Sequence, residues 1–82
     1  MDREQIENKV KKIVIDYFDL DEIVISAESN IVQTLELNSL TRMELVVLIA
    51  QHLGVKIPFG DFAMIVTFSD LYDYIQNHQL AE

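Results

Sequence analysis

The chain has 82 residues, 14 acidic against 6 basic side chains for a formal charge of -8, an apolar half, and no cysteine. This length supports one domain, spanning 1–82, and roughly 60 to 65% of the unfolded surface can be buried at this size. A core therefore needs no metal, and disulfides are excluded by composition. Nucleic acid is not expected as a partner, because phosphate backbones are bound by neutralising them with Lys and Arg and the excess here is acidic. The longest wholly apolar stretch, Leu45 to Ala50, is far short of the ~20 residues that cross a bilayer. The charged start Met1-Asp2-Arg3-Glu4-Gln5 does not resemble a secretory segment. A soluble, cytoplasmic protein without membrane insertion is expected, and the small domain suggests a monomer.

Ile6, Val10, Ile13, Val14, Tyr17 and Phe18 recur at i, i+4, i+7, i+8, i+11 and i+12, which is one stripe of a first helix, with Ile15 off the pattern. Asp2 and Gln5 form a capping-box pair, so this helix starts at about Asp2 or Arg3. From Asp19 to Asn38 the period disappears while Leu20, Ile23, Val24, Ile25, Ile31, Val32, Leu35 and Leu37 recur among polar residues. That reads as a long connection pinned to the core, above the usual ~12 to 15 residues, with a short strand at Glu22 to Ser26 conceivable. Leu40 to Leu53 is a helix apolar on most of its circumference, hence central or offering a face to something else. Gly54 and then Pro58 end it. Asp61 can cap a brief helix over Phe62 to Val66, and a last helix starting at Thr67 to Ser69 buries Leu71, Tyr72, Tyr74 and Ile75. The pattern is that of an all-α bundle with three main helices, one short helix and a long loop between the first two.

No conventional active site is visible. His52 and His78 have no metal-ligand spacing, Gly54 and Gly60 make no phosphate loop, and Asp19 and Asp21 sit in polar surroundings where solvated charge is the default. The distinctive segment is Leu35-Glu36-Leu37-Asn38-Ser39-Leu40-Thr41-Arg42-Met43-Glu44-Leu45-Val46, where the long loop meets the central helix. Read locally, Asn38 is a favoured N-cap, Thr41 with Glu44 fits a Thr-x-x-Glu capping box, and Ser39 is a first-turn residue.

The same segment resembles the acyl carrier protein family, whose pattern is leucine, glycine, any residue, Asp-Ser-Leu, three residues, then Glu-Leu-Val. Asn38-Ser39-Leu40 stands at Asp-Ser-Leu and Glu44-Leu45-Val46 at the family's spacing. The resemblance runs in register over about residues 3 to 76, through Ile25-Ser26, Ile31-Val32, Ile57-Pro58 and Asp73-Tyr74-Ile75. It implies a small four-helix carrier fold in which a long first loop is normal, and a protein that is not itself an enzyme. Ser39 would carry 4'-phosphopantetheine, transferred from coenzyme A by a Mg-dependent phosphopantetheinyl transferase. A helix start suits a phosphodiester, because it presents free N–H groups and the positive end of the dipole. The arm would hold acyl groups as thioesters and present them to acyl-loading and acyl-processing enzymes, no metal being bound by the carrier. An aminoacyl carrier of the D-alanyl type and an unmodified interaction module remain as alternatives.

Three departures from the family pattern matter. Asn38 replaces an aspartate and Glu36 a glycine, and nine of the 14 acids lie in residues 1 to 36, away from the usual acidic docking helix. An apolar docking face is expected instead, from Leu40, Met43, Val47, Phe59, Phe62 and Met64 beside Asn38, Arg42 and Glu44. This favours a specialised pathway, such as polyketide, nonribosomal peptide or lipid-derived metabolite synthesis, over bulk fatty-acid synthesis. Positions that by resemblance can shelter an acyl chain are Val32, Ile49, Leu53, Ile57, Ile65, Leu71 and Ile75, all of which also suit a packed core.

Overall fold

A computed structural model describes residues 2–19 and 25–78. Among these described residues five helices follow one another: α1 (Arg3–Phe18), α2 (Ile31–Leu35), α3 (Ser39–Leu53), α4 (Phe59–Phe62) and α5 (Phe68–Asn77). The three main helices match the periodicity, and α2 is a further short turn inside the long connection. The strand considered at Glu22 to Ser26 falls largely outside the described residues, and Ile25 and Ser26 are not in a strand.

Local chemistry starts each long helix. The Asp2 carboxylate accepts the Gln5 N–H at 2.9 Å, and the Gln5 side chain accepts the Asp2 N–H at 3.2 Å. Thr67 and Asp70 close the same reciprocal pair at the start of α5. At α3 the box is formed by Asn38 and Thr41, not by Thr41 and Glu44 as the sequence suggests. The reason is register: Asn38 is the extended residue before the first turn, so its third helical residue is Thr41. Gly54 ends α3 at φ +71, a left-handed geometry that costs glycine little. The short helix near Asp61 also differs from expectation, running over Phe59–Phe62 after Pro58, without side-chain capping. Asp61 instead accepts the Tyr74 hydroxyl at 2.8 Å and so ties α4 to α5. That hydrogen bond comes second to desolvation in raising the Tyr74 pKa.

Helix α1 packs against α3 and α5, and α4 against α3. The shared core contains Ile6, Val10, Ile13 and Val14 of α1, Leu45, Ile49 and Leu53 of α3, and Phe68, Leu71, Tyr72 and Ile75 of α5. Tyr17, which continues the α1 stripe, is 60% exposed, because it lies past the edge of that core, its ring 6.3 Å from His52. The end of the long connection is pinned by backbone hydrogen bonds to the segment entering α5: Ile31 N–H to Val66 O at 2.9 Å, Phe68 N–H to Ser29 O at 3.2 Å and Ser69 N–H to Ala27 O at 2.8 Å. These bonds hold α2, and with it the entrance to α3, against a remote part of the chain. Arg3 pairs with Glu7 within α1 and with Asp73 across the α1–α5 seam, its guanidinium carbon 5.4 Å from the centre of the buried Tyr72 ring.

Candidate functional site

The candidate site is the corner where α2 ends and α3 begins. Glu36 closes α2 in the left-handed conformation, φ +51, while its N–H and that of Leu37 donate to Gln33 O at 3.4 Å and Val32 O at 3.0 Å. Left-handed backbone is unfavourable for a residue with a Cβ, which gives a physical reason for glycine at this place in the family pattern. Leu37 is then buried, anchoring the chain one residue before the α3 cap.

At the cap, Asn38 Oδ1 accepts the Thr41 N–H at 3.0 Å, and Thr41 Oγ1 accepts the Asn38 N–H at 2.8 Å. Ser39 is the first residue of the 15-residue helix and is exposed. The hydrogen bonds of this corner run between Asn38 and Thr41, leaving the Ser39 hydroxyl without a protein partner among the described residues. No acid stands in the first turn of α3. A phosphodiester on Ser39 fits such a corner: there is room, an uncommitted hydroxyl, and the positive end of a long helix.

The sequence-predicted docking residues separate into two groups. Leu40, Met43 and Val47, at 65, 56 and 50% exposure, form a stripe on the outer face of α3, and Phe59, the first residue of α4, and Met64, just after it, are also exposed. Glu44 is exposed near that stripe, and Asn38 is exposed but engaged in the cap. Phe62 has to be removed from the docking set, because it is 2% exposed and belongs to the core, whereas Phe59, three residues earlier, is 52% exposed. Arg42 also departs from the outer face. At 100° per residue it falls in line with Leu45 and Ile49, and it is half-buried with its Nε shielded from solvent.

Ile49, Leu53, Ile57, Ile65, Leu71 and Ile75 are buried in the core, and half-buried Val32 packs against it. These residues lie together but tightly, so any sheltering of a cargo between the helices requires them to move apart. A shallow apolar groove of about 360 Å³ does lie on the surface, lined by Tyr17, Leu40, Met43, Glu44, Val47 and Leu48. Among the described residues no three His, Cys, Asp or Glu side chains converge in a metal-binding group, and no helix is long and apolar enough to cross a membrane.

A family profile described as a phosphopantetheine attachment site matches residues 8–75. The chain belongs to the acyl carrier protein family. Three curated proteins named acyl carrier protein are similar to it over most of both lengths. That of Rubrobacter xylanophilus is 33% identical over 81 residues, covering 99% of this chain and 100% of its own. The Campylobacter lari protein is 37% identical over 70 residues, 85% of this chain and 91% of its own. The Lactobacillus acidophilus protein is 30% identical over 79 residues, 96% of this chain and 99% of its own. The resemblance at Asn38-Ser39-Leu40 is thus part of a match along the whole carrier domain. Acyl carrier proteins are non-catalytic, and the prosthetic group of this family is covalently bound 4'-phosphopantetheine. When bound, that group supplies the thiol that a cysteine-free carrier lacks.

Proposed function

We propose that Ser39 is the attachment residue and that this carrier holds acyl intermediates as thioesters for a specialised biosynthetic pathway. The observation that carries the reading is the exposed, uncommitted Ser39 hydroxyl at the start of a capped 15-residue helix. A phosphopantetheinyl transferase modifies it from coenzyme A, and acyl-loading and acyl-processing enzymes then meet the carrier at the outer face of α3. The work is done in the cytoplasm by a monomer. The carrier contributes the anchoring corner and the recognition surface, and the arm supplies the reach.

The preference for a specialised pathway rests on that surface. Leu40, Met43, Val47, Phe59 and Met64 make it apolar, with Glu44 beside the α3 stripe and Asp61, Asp70 and Asp73 confined to the side of Met64, and exposed apolar side chains of this kind mark interaction sites. Partner affinity should therefore weaken little with salt, because screening acts on charges. Titrating an acyl-processing partner between low and physiological salt checks this, and a steep loss of affinity would count against an apolar interface.

Attachment is tested by intact mass after incubating the purified carrier with coenzyme A, Mg and a broad-specificity phosphopantetheinyl transferase, with Ser39→Ala alongside. A single phosphopantetheinyl addition is expected in the native protein and none in the variant. Addition that persists in Ser39→Ala would move the attachment elsewhere, and no addition with the native host's transferase would favour an unmodified interaction module.

A further inference from the structure

We infer that Arg42 is the positioning cation for the phosphodiester carried at Ser39, an inference that rests on Ser39 being the attachment residue. Arg42 differs from the other arginine of the chain. Arg3 is engaged by Asp73, Glu7 and Gln76, and both ion pairs among the described residues belong to it. Neither Arg42 nor any lysine has an ion pair among the described residues, but the Arg42 Nε is shut off from solvent with no hydrogen-bond acceptor among them. A buried N–H left unpaired is costly, and the neighbouring chain offers it little relief. The first turn of α3 holds no acid, and Glu36 and Glu44 are exposed without an ion pair to Arg42.

Modification of Ser39 would deliver an acceptor beside the guanidinium, one that Nε meets once the side chain turns out of the cover that now shields it. Residues three apart on a helix are neighbours, with Cβ atoms ~5–6 Å apart. Helical side chains also lean toward the N-terminus, so Arg42 leans toward the turn that begins with Ser39. The guanidinium presents five donors in a rigid fork that suits phosphate oxygens. Ser39 lies at the border between the inward line of Arg42, Leu45 and Ile49 and the outer stripe of Leu40, Met43 and Val47. A cation on its inward side would hold the first atoms of the arm against the α2–α3 corner and leave the outer stripe open to partners. The neutral Asn38 fits this arrangement, because an acid there would compete with the phosphodiester for Arg42.

The experiment compares the ¹⁵N-labelled carrier before and after phosphopantetheinylation, with loading established by intact mass. The Arg42 Nε–H signal is expected to shift in the holo form, as a charge-assisted hydrogen bond forms. The ³¹P resonance of the phosphodiester is expected to differ between native holo protein and Arg42→Gln, with Arg42→Lys in between. An Arg42 signal that is the same in both forms of a fully loaded protein overturns the inference while leaving Ser39 as the attachment residue. A change that comes only after an acyl group is added also overturns it, because Arg42 would then contact the cargo. Failure of the mass addition itself overturns the Ser39 reading and this inference with it. The native comparison needs no variant, so misfolding of Arg42→Gln cannot hide the answer.

Discussion

Replacing Asn38 separates what the α3 cap does for stability from what it does for modification. In Asn38→Ala the Oδ1 that accepts the Thr41 N–H at 3.0 Å is lost, and with it the reciprocal box. Loss of an N-cap costs ~1 kcal/mol, within a range of about 0.5–2, and in a domain of this size 1 kcal/mol moves the Tm by roughly 4–8 °C. Asn38→Asp keeps an acceptor in the same place and adds a negative charge at the positive end of a 15-residue helix, which is worth about 0.3–1 kcal/mol. A rise of a few degrees is therefore expected at neutral pH. The sign with pH follows from the carboxylate. An N-capping Asp has its folded pKa depressed, so its gain is present above the unfolded value of ~3.9 and is lost as pH falls through the folded one. Thermal melts of the three proteins at neutral and at acid pH, in physiological salt, measure all of this. The aspartate also restores the charge that modifying enzymes find beside the serine in the family pattern, so Asn38→Asp should be loaded faster by a broad-specificity transferase. An unchanged Tm in Asn38→Ala, or a gain in Asn38→Asp that persists undiminished in acid, would refute the capping argument.

Two other perturbations test the packing around the site. Tyr72 is 1% exposed and its hydroxyl has no partner among the described residues; desolvation first, then the charge of Glu7, pushes its pKa up to about 12 against the opposing effect of Arg3. The folded pKa exceeds the unfolded value of 10, so this contribution is fully present below pH 10 and is lost as pH rises through 12, by about 3 kcal/mol at most. Tyr72→Phe removes an unsatisfied hydroxyl and should be neutral or up to ~1 kcal/mol more stable at pH 7, with a flatter alkaline limb in chemical denaturation. A clear loss of stability at pH 7 would show that the hydroxyl has a partner. Phe62→Ala should cost ~3–5 kcal/mol as a core truncation, whereas Phe59→Ala, at an exposed position, should stay within ~0.5 kcal/mol yet weaken partner binding. Equal stability losses in the two variants would contradict the assignment of Phe62 to the core and Phe59 to the surface.

The starts of α1 and α3 could be read because capping is a transaction between residues three apart, and at α1 the pair Asp2 and Gln5 is unambiguous, while the start of α5 was legible only to within Thr67 to Ser69 and its Thr67–Asp70 pair came from the structure. At α3 two overlapping boxes were available, Asn38 with Thr41 and Thr41 with Glu44. Only the backbone conformation of Asn38, extended at φ -115 and ψ -174, selects the first. Helix α2 was not legible, since five residues are too few to establish a period and its position depends on hydrogen bonds from 27–31 to 66–69.

The sequence by itself determined the all-α architecture, the long helices and their ends, and the placing of Ser39 at the start of the central helix, because each depends on neighbours within about one turn. The tertiary structure decided the rest. Facing is the clearest case: α3 is apolar nearly all round, so composition cannot say which side is covered, and packing against α1 and α4 leaves Leu40, Met43 and Val47 outside while turning Arg42 inward. The same holds for Phe59 and Phe62, alike in sequence and opposite in burial, because burial is set by what remote segments bring against a residue.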